Sequence, residues 1–365
     1  MLLRSALREY RTWVVDSRYW ADYVPRKDDI IIPTAPKCGT TWMQQIVSSL
    51  VFGDANVRPL PMVSPWVEAR FRHTAEEVHR VLASLQHRRF LKTHLPIDAL
   101  PLYDHVKYIH VGRDGRDAAL SMHNHFSGFK ETQIAVFDAI GRGDPVVGGP
   151  YQKPPPDPVQ FFRRWIGTRV TLSLVNGPPN PIFFDIEAGY WTERKRSNFL
   201  LVHYADLSAD LGGEMRRIAE FLGISIEEQM WPALVQAARF ETMRAAGDEL
   251  MPSTKAMFTD GSRRFFNKGI DSRWREVLAE DDIALYDARV KELLTPGLVS
   301  WLEGGRRRTG DPRSTPDSSR ARDGLMRSRR RRSRGRTYGL PSSASSDEAP
   351  RWVQRCLARS ADRVP

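Results

Sequence analysis

Residues 29–42, with the sequence DIIIPTAPKCGTTW, join a short apolar run to a helical pattern. The apolar run at Asp29–Thr34 predicts a buried β-strand, and the spacing of apolar residues from Thr41 to Val51 predicts a helix. Gly39 lies between them, and glycine permits the tight backbone turn that such a connection needs. A strand, a glycine-containing loop and a helix in this order are typical of α/β proteins.

The loop itself has the features of an anion-binding site. The amides of Gly39, Thr40 and Thr41 fall at the predicted helix N-terminus, where backbone N–H groups are free and the helix dipole favours negative charge. Lys37 adds a positive charge. The loop therefore predicts a phosphate site, and an ordinary strand–helix turn with a threonine cap is the alternative. It is not a Walker A loop, because no Gly-Lys-Ser/Thr triplet follows.

Further strand and helix patterns alternate along the chain. Apolar runs predict strands at Arg89–Thr93, Lys107–Arg113 and Phe199–His203, and helical spacing predicts helices at Arg116–His125, Leu211–Leu222 and Ile226–Phe240. We therefore expect an α/β fold, a single P-loop-like domain with a central parallel sheet flanked by helices on both faces. Such folds bind their ligands at the carboxyl ends of the strands.

Residues 127–190 interrupt this alternation. They contain GRGDPVVGGPYQKPPPDP and NGPPNP, which predict turns rather than periodic elements. We expect this segment to form a flap on the side of the site where a second ligand, here called the acceptor, would bind. Its aromatic residues either line an apolar acceptor pocket, which His123 and His125 could also line, or pack the flap onto the core. These aromatic residues are Phe126, Phe129, Phe137, Tyr151, Phe161, Phe162 and Trp165.

The charge of the chain is concentrated near its C-terminal end. The 365 residues carry a formal net charge of +11. Residues 306–365 contain 17 Arg, no Lys and 6 acidic residues, so this segment alone accounts for the excess. Residues 1–305 are neutral overall and form the predicted folded domain. The segment 306–365 predicts a disordered tail, which could bind nucleic acid weakly through RSRRRRSRGR from Arg327 onwards.

Cysteine content and hydropathy restrict the location and the metal content that we expect for the protein. Cys38 and Cys356 are too few for a disulfide framework or a cysteine zinc site, which favours a reducing, cytoplasmic location. We expect no metal, because no cluster of ligands has suitable spacing. No apolar run has membrane-spanning length, and charged residues such as Arg4 and Arg8 interrupt the N-terminal region, so we expect neither a transmembrane segment nor a signal peptide.

The segment PKCGTTW, residues 36–42, resembles the phosphosulfate loop of the cytosolic-type sulfotransferases, whose usual form is PKSGTTW. Members of this family use 3′-phosphoadenylyl sulfate (PAPS) as co-substrate and release adenosine 3′,5′-bisphosphate. The resemblance implies that Lys37 stabilises negative charge on the leaving nucleotide. It also implies that the 5′-phosphosulfate is held by the loop residues Lys37, Cys38, Gly39, Thr40 and Thr41.

Two later segments are similar to other motifs of the same family. The sequence LKTHLP matches the KTHLP segment, which implies that His94 is the general base and that Lys92 is a second contact for the sulfuryl oxygens. The sequence VGRDGRDAALS resembles the 3′-phosphate segment. This resemblance implies that Arg113 and Ser121 bind the 3′-phosphate, and that Ser121 helps to orient Lys37.

The sequence FFNKGIDSRWR resembles the RKGxxGxWK loop of the family in a degenerate form. The resemblance implies that Lys268 and the amide of Gly269 close over the 3′-phosphate. Asn267 replaces the usual arginine, which removes one cation from the clamp and could lower the affinity for PAPS. Arg263 or Arg264 could compensate for this loss.

Three aromatic residues match positions that contact the adenine base in the family. The resemblance implies that Trp42 stacks on the base, that Phe240 lies on its other side and that Tyr204 contacts it. Packing in the core is the alternative for each of them, because aromatic side chains dominate protein cores.

Together these motifs imply sulfuryl transfer from PAPS to a hydroxyl or amine of a small apolar, aryl or glycolipid acceptor, in line, with His94 as the base. Four alternatives stay open at this point: another alcohol or amine metabolite as acceptor, a nucleotide kinase, a nucleotide-binding pseudoenzyme, and a nucleic-acid binder that acts through the tail. The oligomeric state is also open, because the family's dimer motif is not kept in RWREVLAEDDIALYD.

Overall fold

The computed structural model describes residues 1–167, 182–269 and 271–316. Its strands are β1 (Leu2–Arg4), β2 (Ile30–Pro33), β3 (Phe90–Thr93), β4 (Leu102–Tyr103), β5 (Lys107–Gly112) and β6 (Phe199–His203). Four of them form a parallel sheet in the order β3-β2-β5-β6, while β1 and β4 pair antiparallel. The register places Ile30 beside Phe90 on one side and beside Lys107 on the other.

Helices cover this sheet. They are α1 (Thr40–Phe52), α2 (Leu60–Val63), α3 (Ala75–Ser84), α4 (Gly115–Phe126), α5 (Glu131–Gly143), α6 (Pro158–Gly167), α7 (Ile182–Thr192), α8 (Tyr204–Ala209), α9 (Leu211–Leu222), α10 (Trp231–Ala237), α11 (Phe240–Ala245), α12 (Gly247–Leu250), α13 (Thr254–Met257), α14 (Gly261–Phe265), α15 (Trp274–Val277), α16 (Glu280–Leu293) and α17 (Pro296–Thr309). None of the described helices is both long and apolar enough to cross a membrane.

Alternate side chains of the central strands pack into two different hydrophobic layers. Ile30 and Ile32 contact the layer formed with α1, α9 and α10, whereas Ile31 contacts the layer formed with α4, α6, α7, α16 and α17. Strands buried on both faces require apolar side chains at successive positions, as the run Ile30–Ile32 provides. The predicted α/β fold with a central parallel sheet and helices on both faces is confirmed.

The prediction of a turn-rich, non-periodic segment at residues 127–190 was wrong in part. The segment contains α5, α6 and α7, and its Pro- and Gly-rich stretch at 144–157 connects α5 to α6. In α6, Phe161, Phe162, Trp165 and Ile166 are buried, and their spacing places them on one helical face. The NGPPNP stretch lies within residues 168–181, outside the described residues.

The helix predicted at Ile226–Phe240 was too long. A 3₁₀ turn at Glu228–Met230 precedes α10, and α10 ends at Ala237. Pro232 explains the late start, because proline is tolerated only in the first turn of a helix. The predicted helices near 41–51, 116–125 and 211–222 are confirmed as α1, α4 and α9.

The described chain continues beyond residue 305. Helix α17 runs to Thr309, with a kink at Gly305, and the guanidinium of Arg194 donates hydrogen bonds to the carbonyl oxygens of Pro312 and Thr315. A domain boundary at residue 305 stays a prediction. Residues 317–365, which include most of the predicted disordered tail, lie outside the described residues.

Candidate active site

A cavity of about 550 Å³ opens at the carboxyl ends of β2, β3 and β5. The loop after β2, the end of β3 and the residue that follows β5 all contribute side chains to it. Every predicted site residue except Cys38 lines this cavity: Lys37, Gly39, Thr40, Thr41, Trp42, Lys92, His94, Arg113, Ser121, Tyr204, Phe240, Asn267, Lys268 and Gly269. Motifs that are far apart in sequence therefore meet in one place.

The loop between β2 and α1 presents a helix N-terminus to the cavity. Helix α1 starts at Thr40, and no side chain caps its first turn, so the N-terminal amides remain available for an anion. Gly39 has φ of 101°, and a Cβ at this position would lie 3.0 Å from the ring of Tyr204. Lys37 also has a positive φ, 70°, which is uncommon outside glycine and is concentrated at functional sites.

Cys38 is turned away from the cavity. Its side chain is fully buried in the hydrophobic layer that contains Ala35, and its amide donates a hydrogen bond to the carbonyl of Ala35 at 3.3 Å. Burial raises the pKa of its thiol well above the usual value. Cys38 shapes the turn, and its side chain contributes nothing to the cavity wall.

His94 is held in one tautomer at the end of β3. Its Nδ1 lies 2.9 Å from the carbonyl oxygen of Thr34, and a carbonyl can only accept, so Nδ1 carries the proton. Nε2 then has a free lone pair. Burial, followed by the positive charge of Lys92, lowers the pKa of His94 well below its usual value. The imidazole is therefore neutral at pH 7 and chemically suited to accept a proton.

Glu68 fixes the surroundings of His94, and sequence reasoning missed it. Its fully buried carboxylate accepts hydrogen bonds from the backbone N–H of His94 at 2.8 Å, the hydroxyl of Thr93 at 3.0 Å, and the indoles of Trp20 and Trp66. The ring of His94 stands edge-on to Trp66 at 5.0 Å. The sequence signal was a lone acidic residue within the apolar run PWVEA.

Lys37 extends into the cavity among aromatic side chains. Its Nζ lies 4.9 Å from the ring centre of Phe265 and 3.4 Å from Nδ1 of His125. Burial, and then the charge of Arg113, lowers the pKa of Lys37 to about 8. The cavity therefore destabilises the protonated lysine, and an anion placed beside it would relieve that penalty.

Lys92 is a second lysine of the cavity lining whose pKa is lowered. Its Nζ lies 4.2 Å from the ring centre of Trp66. Burial, followed by the charge of Arg72, lowers the pKa of Lys92 to about 7. Lys37 and Lys92 both lower the pKa of His94, so the base and the two lysines are electrostatically linked.

Arg113 has a counter-charge within the protein. Its guanidinium stacks on Tyr204 at 4.1 Å, donates to the backbone carbonyl of Lys37 at 3.2 Å and pairs with Asp271 at 3.3 Å. Burial acts to lower the pKa of Arg113, but Tyr204 and Asp271 outweigh it, so the pKa lies above the usual value. Asp271 is a further residue that sequence reasoning missed, although it lies inside the degenerate loop motif.

The loop that contains Asn267 supplies a cation from a position that the motif did not indicate. Arg263 and Arg264, proposed to compensate for Asn267, do not line the cavity, and Arg264 donates instead to the carbonyl of Asn124 at 3.0 Å. Arg273 lines the cavity. It follows Asn267 by six residues in the sequence, and the motif pattern gave no reason to single it out.

The three aromatic residues predicted around the adenine lie at the cavity wall. Trp42 stands at 70° to the ring of Tyr204, 5.2 Å away, and donates from Nε1 to the carbonyl of Ala238 at 2.7 Å. Phe240 packs directly under Gly269, where an added Cβ would lie only 2.6 Å from its ring. Each ring is thus fixed by the protein and still borders the cavity.

The remaining lining of the cavity includes many apolar side chains. Of the aromatic residues proposed in the flap, those that line the cavity are Phe126, Phe129, Phe137, Tyr151 and Trp165, whereas Phe161 and Phe162 pack in the core. His125 lines the cavity and contacts several phenylalanine rings, whereas His123 does not line it. Some of these residues therefore line the cavity and others pack in the core, and the assignment of the cavity to an acceptor stays a prediction.

Metal ligands are not clustered at this site. Over residues 1–167, 182–269 and 271–316, no group of three or more His, Cys, Asp or Glu side chains is placed to hold a metal ion. The polar groups that line the cavity are mostly cations and hydroxyls, which suits an anionic ligand.

Comparisons with known proteins agree with this geometry. A model of the sulfotransferase domain matches residues 27–296. The glycolipid sulfotransferase of Mycobacterium bovis is 35% identical over 323 residues, covering 82% of this chain and 94% of the relative. Human sulfotransferase 2A1 is 24% identical over 283 residues, covering 74% of this chain and 87% of the relative.

Solved structures show the same fold. A crystal structure of retinol dehydratase, in complex with androsterone and the inactive cofactor PAP, matches with a TM-score of 0.58 at 20% identity, covering 77% of this chain and 87% of that chain. A mouse sulfotransferase complexed with PAP matches with a TM-score of 0.56 at 19% identity, covering 78% and 90%. With the family model over most of its length and a relative at 35% identity, this chain belongs to the sulfotransferase family.

Proposed function

We propose that this protein transfers the sulfuryl group of PAPS to a hydroxyl, or an amine, of an apolar, aryl or glycolipid acceptor. The observation that carries the proposal is the arrangement around His94. A histidine with a protonated Nδ1 borders the same cavity as Lys37, Lys92 and an uncapped helix N-terminus. A base, two cations and an anion-binding loop are the groups that sulfuryl transfer needs.

The donor nucleotide is proposed to bind along the loop and the cationic side of the cavity. The amides of Gly39, Thr40 and Thr41 and the ammonium of Lys37 hold its 5′-phosphosulfate. The 3′-phosphate is held by Arg113 and Ser121, with Lys268 and the Gly269 amide closing over it. Trp42, Tyr204 and Phe240 surround the adenine.

Arg273 is proposed to replace the arginine that Asn267 lacks. It lines the cavity, and its side chain comes from the same loop. Arg273→Ala should weaken binding of adenosine 3′,5′-bisphosphate by roughly tenfold, as expected for one charged hydrogen bond. Arg263→Ala is the matched control, because Arg263 is exposed and does not line the cavity.

The proposed chemistry is a single in-line transfer. The acceptor oxygen forms a bond to sulfur while the bond from sulfur to the bridging phosphate oxygen breaks. Nε2 of His94 takes the acceptor proton, and Lys37 stabilises the charge that develops on the leaving oxygen. Lys92 contacts the sulfuryl oxygens. Ser121 assists Lys37 through its contact with the 3′-phosphate.

A glycolipid or another amphiphilic alcohol is the proposed acceptor. The support comes from the apolar, aromatic wall of the cavity and from the relative named as a glycolipid sulfotransferase. We also propose a cytoplasmic location, which the low cysteine count supports.

A two-step experiment tests the proposed function. In the first step, thermal unfolding is measured in the presence of adenosine 3′,5′-bisphosphate and, separately, of ATP plus Mg²⁺. In the second step, radiolabelled-sulfate PAPS is supplied together with phenols, steroids and glycolipids. Stabilisation by the bisphosphate alone and label transfer to an acceptor are expected. Stabilisation only by ATP with Mg²⁺ would favour a kinase, and bisphosphate binding with no transfer to any acceptor would favour a pseudoenzyme.

A further inference from the structure

Arg72 lies in the loop between α2 and α3 and lines the cavity. This loop runs beside β3, because Trp66 forms a bridge with Lys92 and the carbonyl of Pro65 accepts from the Lys92 amide at 3.0 Å. The guanidinium of Arg72 lies 5.3 Å from the ring centre of Phe71. Arg72 is therefore fixed on the wall of the cavity close to the reaction centre.

The charge of Arg72 has no counter-charge in the described part of the chain. No ion pair joins it to a carboxylate there, and its side-chain hydrogen bonds are those from Nη2 to the hydroxyl of Ser253 at 3.0 Å and to the sulfur of Met257 at 3.5 Å. Its Nε is buried without a hydrogen-bond partner. Burial lowers the pKa of Arg72, and no neighbouring acid opposes this effect.

Another polar group of the cavity lining also lacks a partner. The hydroxyl of Tyr151 is buried without a hydrogen-bond partner among the described residues, and Tyr151 lines the cavity. Lys92 carries a second charge near Arg72, and each charge disfavours the other. An unpaired cation of this kind is costly, and a ligand that supplies the opposite charge removes the cost.

We infer that Arg72 binds an anionic group of the acceptor, so that the acceptor is an apolar alcohol or phenol that also carries a negative charge. This inference rests on the proposed function, because it concerns the acceptor of the same reaction. The aromatic wall takes the apolar body, and Arg72 takes a carboxylate, sulfate or phosphate. A planar guanidinium suits such oxyanions better than an ammonium does.

Matched acceptor pairs test the inference. Para-hydroxyphenyl alkanoates of increasing chain length are compared with their methyl esters, which keep the apolar body and the phenol and lose the charge. At the best chain length we expect kcat/KM for the acid to exceed that for the ester at least about tenfold. In Arg72→Met this preference should disappear, whereas Arg72→Lys should keep part of it.

Binding of the nucleotide separates failure of the inference from failure of the proposed function. Thermal stabilisation by adenosine 3′,5′-bisphosphate shows that each variant is folded and that the donor site is intact. Arg80→Met is the control, because Arg80 is exposed and does not line the cavity. Its acid-to-ester ratio should equal that of the wild type.

Three results would overturn the inference. The first is an equal kcat/KM for acid and ester in the wild type. The second is a loss of PAPS affinity in Arg72→Met with an unchanged acid-to-ester ratio, which would place Arg72 at the donor. The third is failure of both acid and ester to bind the complex with adenosine 3′,5′-bisphosphate in equilibrium dialysis.

Discussion

Arg113 and Arg72 border the same cavity, but their charges are balanced differently. Arg113 is paired with Asp271 and stacked on Tyr204, and its pKa lies above the usual value. Arg72 has no acidic partner in the described part of the chain, and its pKa lies below the usual value. At the proposed nucleotide end an incoming phosphate would replace an internal carboxylate, whereas at the proposed acceptor end an incoming anion would meet an unbalanced charge.

The largest effect is expected from substitution of Lys37. Lys37→Met should lower turnover at least about 100-fold, because it removes a positioned charge from the leaving oxygen. Steady-state sulfate transfer measures the loss. Lys27→Met is the control, because Lys27 is exposed and does not line the cavity. If turnover of Lys37→Met stays within a few-fold of wild type, the loop amides alone are sufficient to stabilise the charge on the leaving oxygen.

The pH dependence of kcat/KM distinguishes the two lysines. A lysine that must be protonated loses its contribution as the pH rises through its pKa. Lys37, with a pKa of about 8, predicts a decline above pH 8, whereas Lys92 would place the decline near pH 7. His94 must be neutral, and its lowered pKa puts the acid-side decline well below pH 6.5.

A pH series of initial rates at low PAPS concentration measures this profile. If the alkaline decline lies near pH 7 and disappears in Lys92→Met, then Lys92 rather than Lys37 carries the essential charge. With saturating PAPS the decline in kcat should move to higher pH, because a bound anion stabilises the protonated lysines.

Arg113→Met should affect the nucleotide end and leave the acceptor end unchanged. We expect adenosine 3′,5′-bisphosphate to bind roughly 10–100-fold more weakly, as for loss of a charged, bidentate contact. Calorimetric titration measures the affinity, and the KM of the acceptor should stay close to wild type. An unchanged nucleotide affinity would remove Arg113 from the 3′-phosphate site.

Asp271→Asn should act in the opposite direction and give the smallest effect. Removal of the carboxylate leaves Arg113 without this counter-charge and abolishes repulsion of the phosphate, so the bisphosphate should bind about 2–5-fold more tightly, in line with a partly exposed ion pair. The same titration measures it. Weaker binding would mean that Asp271 orders the loop for the nucleotide instead of competing with it.

The sequence predicted the cavity lining contributed by the strand ends better than the apolar lining, for a physical reason. Gly39 and Lys37 follow β2 and His94 follows β3, where a short local pattern fixes the backbone, and all three line the cavity. The alternating apolar runs likewise predicted the parallel sheet and α1, α4 and α9. Elements whose local signal was mixed with proline and glycine, such as α5 and α6, were missed.

Residues that act through tertiary contacts could not be found from the sequence. Glu68 accepts hydrogen bonds from residues as far as 48 positions away, and Asp271 lies 158 positions from Arg113. Arg72 looks like an ordinary loop arginine until the fold places it on the cavity, where it donates to the hydroxyl of Ser253, 181 positions away. Cys38 shows the converse, since it belongs to the loop motif but its side chain points into the core.

The most direct test of the proposed mechanism is sulfate transfer by His94→Ala, measured with radiolabelled PAPS together with a calorimetric titration of adenosine 3′,5′-bisphosphate. We predict that transfer falls at least about 100-fold while the nucleotide affinity stays within about threefold of wild type, because His94 removes the acceptor proton and does not hold the nucleotide. Transfer at a near wild-type rate by the folded variant would contradict the assignment of His94 as the base.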